Sequence, residues 1–284
     1  MKRTKRHALG QHFLVNRSVL DKIVRTIAPE ASDVIVEIGP GKGALTFLLA
    51  AQAGRVIAVE KDPAFIPLLR EKAGPNLTVV EADVLETDLH ALLVGASGSG
   101  RAKLVGNLPY SVSSTILFMA LDSQALFAKC VFLVQREVAE RVCGRPGTKD
   151  HAPISILLQN RFDARIEFRV SPGSFSPPPK VDSALLSLTR REAPFFPGAD
   201  EASFRSFLRA AFAHRRKLLA KNLEMSGIPR ARIEAAYGAL GLAHNARAEE
   251  LPADRLVKLY RALPPPQEMG RRTKDGGDIP EEAV

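Results

Sequence analysis

Glycines and carboxylates recur where apolar segments of this chain end, and these residue types can bind a ligand. The segment VEIGPGKGAL contains Gly39 and Gly41, and the next two apolar segments end at Glu60 and Asp83. Glycines let the backbone turn sharply and approach a ligand, and an acid about 20 residues further on can bind ribose hydroxyls. Asp83 can accept a hydrogen bond from an adenine amine. The spacing predicts a nucleoside-binding crevice, and a tight turn with two helix caps is the alternative interpretation.

Glu37 lies just before the glycines, and its charge narrows the choice of nucleoside. A pyrophosphate cofactor needs the following helix N-terminus open to its phosphates, and a carboxylate there disfavours an anion. The amino group of S-adenosylmethionine suits the same carboxylate, although Glu37 can also be a salt-bridged structural residue. We therefore predict S-adenosylmethionine as the cofactor. An NAD-dependent dehydrogenase is the alternative that fits the first strands only.

The tetrapeptide NLPY, Asn107–Tyr110, follows the fourth apolar segment. The exocyclic amine of a purine is a poor nucleophile because its lone pair is delocalised into the ring. The side-chain oxygen of Asn107 and the carbonyl of Leu108, turned inward by Pro109, can accept hydrogen bonds from that amine. Tyr110 can stack on the base, as aromatic side chains do with unstacked bases. Beside a cofactor crevice, this tetrapeptide predicts amine methylation, whereas by itself it would be a turn.

A second aromatic residue, Phe175, precedes three prolines in the segment SFSPPPKVDS. Prolines stiffen a loop into an extended form. We predict that Phe175 closes the other side of the pocket for the target base, although a core position is the alternative.

The order of apolar and periodic segments predicts the fold that must position these groups. Strands are expected at 34–39, 56–60, 77–83, 103–107 and 130–135, with helices at 18–28, 44–52, 63–73, 115–122 and 137–144. Strands that are apolar throughout and alternate with helices indicate a parallel sheet covered on both faces. Segments 165–170 and 184–189 look like a late antiparallel hairpin, and 154–160 is ambiguous. The fold class is α/β, with a Rossmann-like methyltransferase sheet and a small C-terminal helical domain.

The pattern changes after about residue 190, which predicts a domain boundary. We expect a methyltransferase domain at 1–190 and a helical RNA-binding domain at 191–263, with helices at 201–213, 215–225, 230–240 and 252–263. The tail 264–284 is polar and almost free of apolar residues, and it is predicted to be disordered. The loop 95–100 is rich in glycine and serine and is predicted to be a flexible surface loop.

Composition points to an acidic partner. The net charge is +9 and the pI is about 9.8, which favours nucleic acid first and an anionic membrane second. Candidate RNA-binding cations are Lys5 and Arg6 near the N-terminus, and Arg215, Arg216, Lys217 and Lys221 on a predicted helix. No apolar run approaches the roughly 18 residues that span a bilayer. Two cysteines without metal-ligand spacing predict no metal site and favour the cytoplasm.

These motifs together resemble the KsgA/RsmA family of small-subunit rRNA dimethyladenosine transferases over about residues 5–263. The matching segments are GQHFL, VEIGPGKGALT, VIAVEKD, ADVL, GNLPYSVSS, FSPPPKVDSALL and FAHRRKLLAKNL. The resemblance implies that S-adenosylmethionine methylates two adjacent adenosines in a hairpin near the 3′ end of 16S rRNA, within a 30S subunit or its precursor. We expect a monomer that does not bind membranes.

The resemblance also assigns residues by position. It makes His12, Leu14, Gly39, Glu60, Asp83 and Asn107 cofactor contacts, and Asn107, Tyr110 and Phe175 the adenine-binding set. Position 12 is Asn in many relatives and His here. Two alternatives remain open, a methylase of large-subunit rRNA and a non-catalytic assembly factor on the same fold.

Overall fold

A computed structural model describes residues 11–94, 102–196 and 201–263 of the chain. Lys5, Arg6, the glycine–serine loop and the tail from Pro264 therefore lie outside the described residues. The strands are β1 (Phe13–Leu14), β2 (Val34–Ile38), β3 (Arg55–Glu60), β4 (Leu77–Glu81), β5 (Ala102–Asn107), β6 (Phe127–Gln135), β7 (Phe162–Val170), β8 (Phe175–Ser176) and β9 (Ser183–Arg190). The α-helices are α1 (Arg17–Ile27), α2 (Thr46–Ala50), α3 (Ile66–Glu71), α4 (Leu89–Leu93), α5 (Ser113–Asp122), α6 (Arg136–Val142), α7 (Pro153–Arg161), α8 (Glu201–Ala211), α9 (Leu219–Met225), α10 (Arg230–Leu240) and α11 (Ala253–Ala262).

The main sheet has the order β4-β3-β2-β5-β6-β9-β7 among the described residues. The first five of these strands are parallel, and β9 pairs antiparallel with both β6 and β7. The predicted parallel sheet and late hairpin are thus confirmed. Since parallel strands point their carboxyl ends to one edge, the residues that follow β2, β3, β4 and β5 meet there.

Burial on both faces explains why the central strands are apolar throughout. Every residue of β2 is buried, and so are the centres of β3, β5 and β6. Helix α1 packs one face of Leu20, Ile23, Val24 and Ile27 into the same core. The periodicity that predicted this helix therefore marks its buried face.

The structure resolves one segment that the sequence left ambiguous and corrects the start of one predicted helix. The ambiguous segment 154–160 forms α7, which is mostly buried. The predicted helix 215–225 begins only at Leu219, so its first residues were wrongly assigned. The amide of Asn222 donates to the carbonyls of Ala211 and His214 and holds an open turn between α8 and α9.

Contacts divide the chain into two compact units. One comprises the residues up to Glu140 with Arg161–Glu192, and the other comprises Arg141–Asn160 with the residues from Ala193 onward. The second unit takes in a segment that precedes the predicted boundary near residue 190. As a statement about separately folding domains, that boundary stays a prediction. None of the helices in the described ranges has the length and apolarity needed to cross a lipid bilayer.

A lysine clamps the end of α1 to the sheet at the edge opposite the glycine turn. The ammonium of Lys103 donates to the carbonyl of Ala28 at 2.6 Å and to the carboxylate of Asp33 at 2.7 Å. Both side chains are largely buried, so the charges are only partly hydrated. The clamp fixes the helix that follows the N-terminal strand β1.

Replacing Lys103 with methionine should lower the free energy of unfolding by about 2–4 kcal/mol. The variant removes the cation paired with the largely buried Asp33 carboxylate, which keeps the Glu30 amide at 2.7 Å, and it removes the donor to the Ala28 carbonyl. Urea unfolding of the two proteins measures the difference. The matched control is Lys72→Met, which removes an exposed ammonium and should change stability by less than about 0.5 kcal/mol. Equal small effects for both variants would contradict the clamp.

Candidate cofactor and acceptor site

The glycine turn between β2 and α2 takes a conformation that side chains rarely adopt. Gly39 and Gly41 have φ values of +63° and +55°. A Cβ atom on Gly41 would lie 3.0 Å from the ring of Phe13, so a side chain there would displace that ring. The glycine turn thus packs closely against the N-terminal strand β1, and its backbone can approach a ligand beside that strand.

Glu60 ends β3 and fixes the shape of this turn. Its side chain is 5% exposed, and its two oxygens accept hydrogen bonds from the backbone amides of Gly41 and Asp62, each at 2.8 Å. Each carboxylate oxygen can accept a second bond. The residue that the sequence assigned to ribose therefore also holds the glycine turn in place.

Asp83 follows β4 and has two partners. One oxygen accepts from the amide of Leu85 at 3.0 Å and caps the short 3₁₀ helix Val84–Glu86. The other oxygen pairs with the ammonium of Lys61 at 2.6 Å, and this pairing lowers the pKa of Asp83. The alternative interpretation as a helix cap is thus correct for this residue, which also lines the cavity. Lys61 was missed because an exposed lysine carries no sequence signal.

Glu37 lies within β2 and is buried, with 3% of its surface exposed. One of its carboxylate oxygens has no hydrogen-bond partner among the described residues. Burial raises the pKa of Glu37 to about 7, the neighbouring Glu60 carboxylate adds to the shift, and the Thr46 hydroxyl opposes it. An ammonium group would supply the missing partner, so the carboxylate fits the amino group of S-adenosylmethionine.

A single cavity of about 690 Å³ joins the glycine turn to the NLPY tetrapeptide. It is lined by residues of β1, the glycine turn and the ends of β2, β3, β4 and β5. Among its lining residues are the predicted cofactor contacts His12, Leu14, Glu37, Gly39, Gly41, Glu60, Asp83 and Asn107, and the predicted acceptor residues Leu108, Pro109 and Tyr110. The structure thus brings together residues that are separated by up to about 100 positions in the chain.

Asn107 is the last residue of β5, and its amide is oriented by a backbone group. The Nδ2 atom donates to the carbonyl of His12 at 2.9 Å, which leaves Oδ1 as the free acceptor end. The amide of Leu108 donates to Leu133, whereas the Leu108 carbonyl accepts no hydrogen bond from the described residues. Two oxygen acceptors are therefore available at this end of the cavity, as the sequence predicted for a purine amine.

The N-terminal strand β1 forms one wall of the cavity. It pairs antiparallel with β8, where Leu14 lies opposite Phe175. The ring of Phe13 contacts that of Phe65 edge-on at 5.5 Å, and the ammonium of Lys42 lies 4.8 Å from the Phe13 ring centre. The sequence argument missed Phe13, whose only signal is its place between His12 and Leu14.

Phe175 does not occupy the position that the sequence predicted. Its side chain is 4% exposed, packs in the core with Leu14 and Leu20, and does not line the cavity. Pairing of β8 with β1 turns the ring inward, where an aromatic side chain gains more from burial than from an open face. Phe175 as a stacking face for the base is therefore wrong in this arrangement, and the alternative core position is correct.

Three of the four predicted RNA-binding cations of the helical unit lie in the turn between α8 and α9. Arg215, Arg216 and Lys217 are exposed there, and the Arg215 guanidinium donates to the carbonyl of Lys149. The Lys217 ammonium lies 3.2 Å from the sulfur of Met225. Lys221 is on α9 and pairs with Glu224 at 2.9 Å, so part of its charge is neutralised locally. Arg215, Arg216 and Lys217 are thus exposed on a turn and not on the predicted helix.

Comparison with known proteins supports the assignment as a methyltransferase over most of the chain. Residues 2–264 match the family model of ribosomal RNA adenine dimethylases. The chain is 41% identical over 262 residues to ribosomal RNA small subunit methyltransferase A of Geobacter metallireducens, covering 91% of this chain and 95% of the relative. It is 42% identical over 261 residues to the protein of the same name from Anaeromyxobacter sp. (strain K), covering 89% and 92%.

Two solved structures share the whole fold. A dimethyladenosine transferase from Plasmodium falciparum has a TM-score of 0.74 at 26% identity, covering 87% of this chain and 96% of that one. The 23S rRNA methyltransferase ErmE has a TM-score of 0.67 at 28% identity, covering 88% and 99%. The chain belongs to the ribosomal RNA adenine dimethylase family and is an S-adenosylmethionine-dependent methyltransferase of ribosomal RNA.

Proposed function

We propose that the chain methylates the N6 amines of two adjacent adenosines in the 3′-terminal hairpin loop of 16S rRNA, giving N6,N6-dimethyladenosines. It acts as a monomer in the cytoplasm, on the 30S subunit or its precursor, during biogenesis of the small subunit. The observation that carries the proposal is the continuous cavity between the glycine turn and NLPY. The small-subunit assignment is supported by relatives that carry that name at 41–42% identity.

The residues at the glycine turn hold the cofactor. Gly39 and Gly41 allow the backbone to approach it, Glu37 takes its amino group, and Glu60 takes the ribose hydroxyls. Asp83 accepts from the adenine amine, while His12, Leu14 and Asn107 complete the wall on the other side. When bound, S-adenosylmethionine supplies an electrophilic methyl group on a positively charged sulfur.

The residues at NLPY hold the target base. Asn107 Oδ1 and the Leu108 carbonyl accept hydrogen bonds from the adenine amine, which localises its lone pair on nitrogen. Pro109 sets the direction of that carbonyl, and Tyr110 stacks on the base. In-line positioning is the main requirement, because the alkylated nitrogen is cationic and releases its proton readily to water. No side chain at NLPY has to serve as a base.

In this proposal the turn that carries Arg215, Arg216 and Lys217 binds the phosphates of the RNA backbone. Lys217 and Lys221 support Arg215 and Arg216, and Lys5 and Arg6 add charge from the N-terminus. Phosphate contacts of this kind raise affinity without reading sequence.

Replacing both Arg215 and Arg216 with glutamine should weaken binding to 30S subunits by about tenfold at 0.15 M salt. The slope of log affinity against log salt should fall by about two, one for each lost phosphate contact. Filter binding across a salt series measures both quantities. Arg230 and Arg232, which are also exposed in the helical unit, provide the matched control pair. An unchanged slope in the Arg215/Arg216 variant would contradict the assignment.

The function itself is tested with labelled S-adenosylmethionine and 30S subunits that lack the modification. We expect label on two adjacent adenosines near the 3′ end of 16S rRNA, mapped by mass spectrometry of nuclease fragments. Purified 50S subunits are the control. Label on 23S rRNA alone would identify a large-subunit methylase, and tight binding of 30S subunits without transfer would identify an assembly factor. Either result would overturn the proposal.

A further inference from the structure

The Pro-rich loop 177–183 holds two aromatic rings of the cavity wall, one at each of its ends. At one end the carbonyl of Pro177 bonds the Nδ1 atom of His12 at 2.8 Å. At the other end the hydroxyl of Ser183 bonds the phenol oxygen of Tyr110 at 2.9 Å. The loop therefore reaches the acceptor end of the cavity, although Phe175, which precedes it, does not line the cavity.

The two rings held by the loop pack on each other. The ring centres of His12 and Tyr110 are 5.7 Å apart, with an angle of 33° between the planes. Both residues line the cavity, and the backbone carbonyl of His12 also orients the amide of Asn107. A movement of either ring would therefore displace the atoms that are proposed to bind the adenine amine.

Ser183 is a rigid anchor for the phenol. It is the first residue of β9, is fully buried, and pairs in register with Gln135 of β6 and Val170 of β7. Its position is thus fixed from both sides by the sheet. Tyr110, by contrast, is partly buried in a short 3₁₀ helix and lines the cavity, where its ring also packs against His12.

We infer that Ser183 is a positioning residue, which holds the Tyr110 side chain by its hydroxyl and thereby sets where the ring lies against the target adenine. The inference rests on the proposed function, because it concerns the same acceptor site. A stacking face accelerates transfer only if it holds the amine in line with the methyl group, and small errors of placement are costly. A hydroxyl bond at the far end of the phenol supplies that constraint without itself covering a ring face.

A double-mutant cycle on Tyr110→Phe and Ser183→Ala tests the inference. Tyr110→Phe keeps the stacking face and loses the bond, and Ser183→Ala loses the same bond from the other side. Each single variant should lower the single-turnover rate of methylation about tenfold at saturating cofactor. The double variant should be no slower than either single one, because the bond can be lost only once. Affinity for S-adenosylhomocysteine should be unchanged in all three.

Ser187→Ala is the matched control. Ser187 is a buried serine on the same strand, and its hydroxyl donates to Glu167 instead of a cavity residue. This variant should lose stability but keep the wild-type methylation rate, and its combination with Tyr110→Phe should have the rate of Tyr110→Phe alone. If Ser183→Ala does not fold, Ser183→Cys takes its place in the cycle, since a thiol is a weaker hydrogen-bonding group in the same position.

Two results would overturn the inference. One is a wild-type rate in Tyr110→Phe or in a folded Ser183 variant. The other is a double variant whose loss equals the product of the two single losses, which would mean that the side chains act independently. An inactive wild-type protein would instead contradict the proposed function, so the two failures are distinguishable.

Discussion

Replacing Asn107 with alanine should lower the rate of methyl transfer by about 100- to 1,000-fold. The expected size is that of removing one well-placed polar group from a site where charge develops during the reaction. The amide of Asn107 is already oriented by the His12 carbonyl, so its oxygen needs no rearrangement before it accepts from the amine. Single-turnover transfer to unmodified 30S subunits measures the rate, and calorimetry with S-adenosylhomocysteine measures cofactor affinity.

Cofactor affinity should fall by no more than about fivefold in this variant, because one neutral contact is lost. Asn76→Ala is the matched control. The amide of Asn76 binds the backbone carbonyls of Ala50 and Ala53, away from the cavity. Its removal should cost stability and leave the rate unchanged. Full activity of folded Asn107→Ala would remove the acceptor role assigned to NLPY.

Cofactor affinity should rise about 20-fold between pH 5.5 and pH 7.5. Burial raises the pKa of Glu37 from 4.5 to about 7, so the free protein holds this carboxyl largely protonated at pH 5.5. The cofactor's ammonium requires the carboxylate, and an α-amino group stays charged up to about pH 7.7. Binding at low pH must therefore release about one proton, which calorimetry of S-adenosylhomocysteine in two buffers of different ionisation enthalpy measures.

Glu37→Gln should bind more weakly at pH 7.5 and show no rise over this range. The other charged group that faces Glu37 is Glu60, which both proteins share, so its contribution cancels in the comparison. The free energy of unfolding of the cofactor-free protein should instead fall as the pH rises. Because the folded-state pKa is raised, the contribution of Glu37 is fully present below about pH 4.5 and is lost as the pH rises through about 7. The same pH slope in both proteins would show that another group controls binding.

The sheet could be predicted because its strands are buried on both faces and are therefore apolar throughout. The positions of β2, β3, β4, β5 and β6 follow from this property, and their shared carboxyl edge follows from the parallel topology. Glu37, Glu60, Asp83 and Asn107 could thus be placed in one crevice before any coordinates were known. The cavity that joins these residues lies at this shared carboxyl edge of the parallel strands.

The predictions that proved wrong depend on which side of an element faces the core. Phe175 carries an aromatic ring just before a stiff loop, and the pairing of Leu14 with it turns that ring inward. Residues 215–218 have helical composition, yet the buried Asn222 amide binds the carbonyls that would continue α8. In both cases a contact from outside the segment itself, made by β1 or by α9, outweighs the local preference.

The amino-acid sequence by itself determined the fold class and predicted the cofactor crevice and the role of NLPY, because these follow from residue types at the ends of successive apolar strands. Only the tertiary structure decided the partners of those residues. The Lys61–Asp83 pair, the His12 carbonyl on Asn107 and the Ser183 hydroxyl on Tyr110 join residues that lie 22, 95 and 73 positions apart. Contacts over such separations depend on strand order and register, which local composition does not encode.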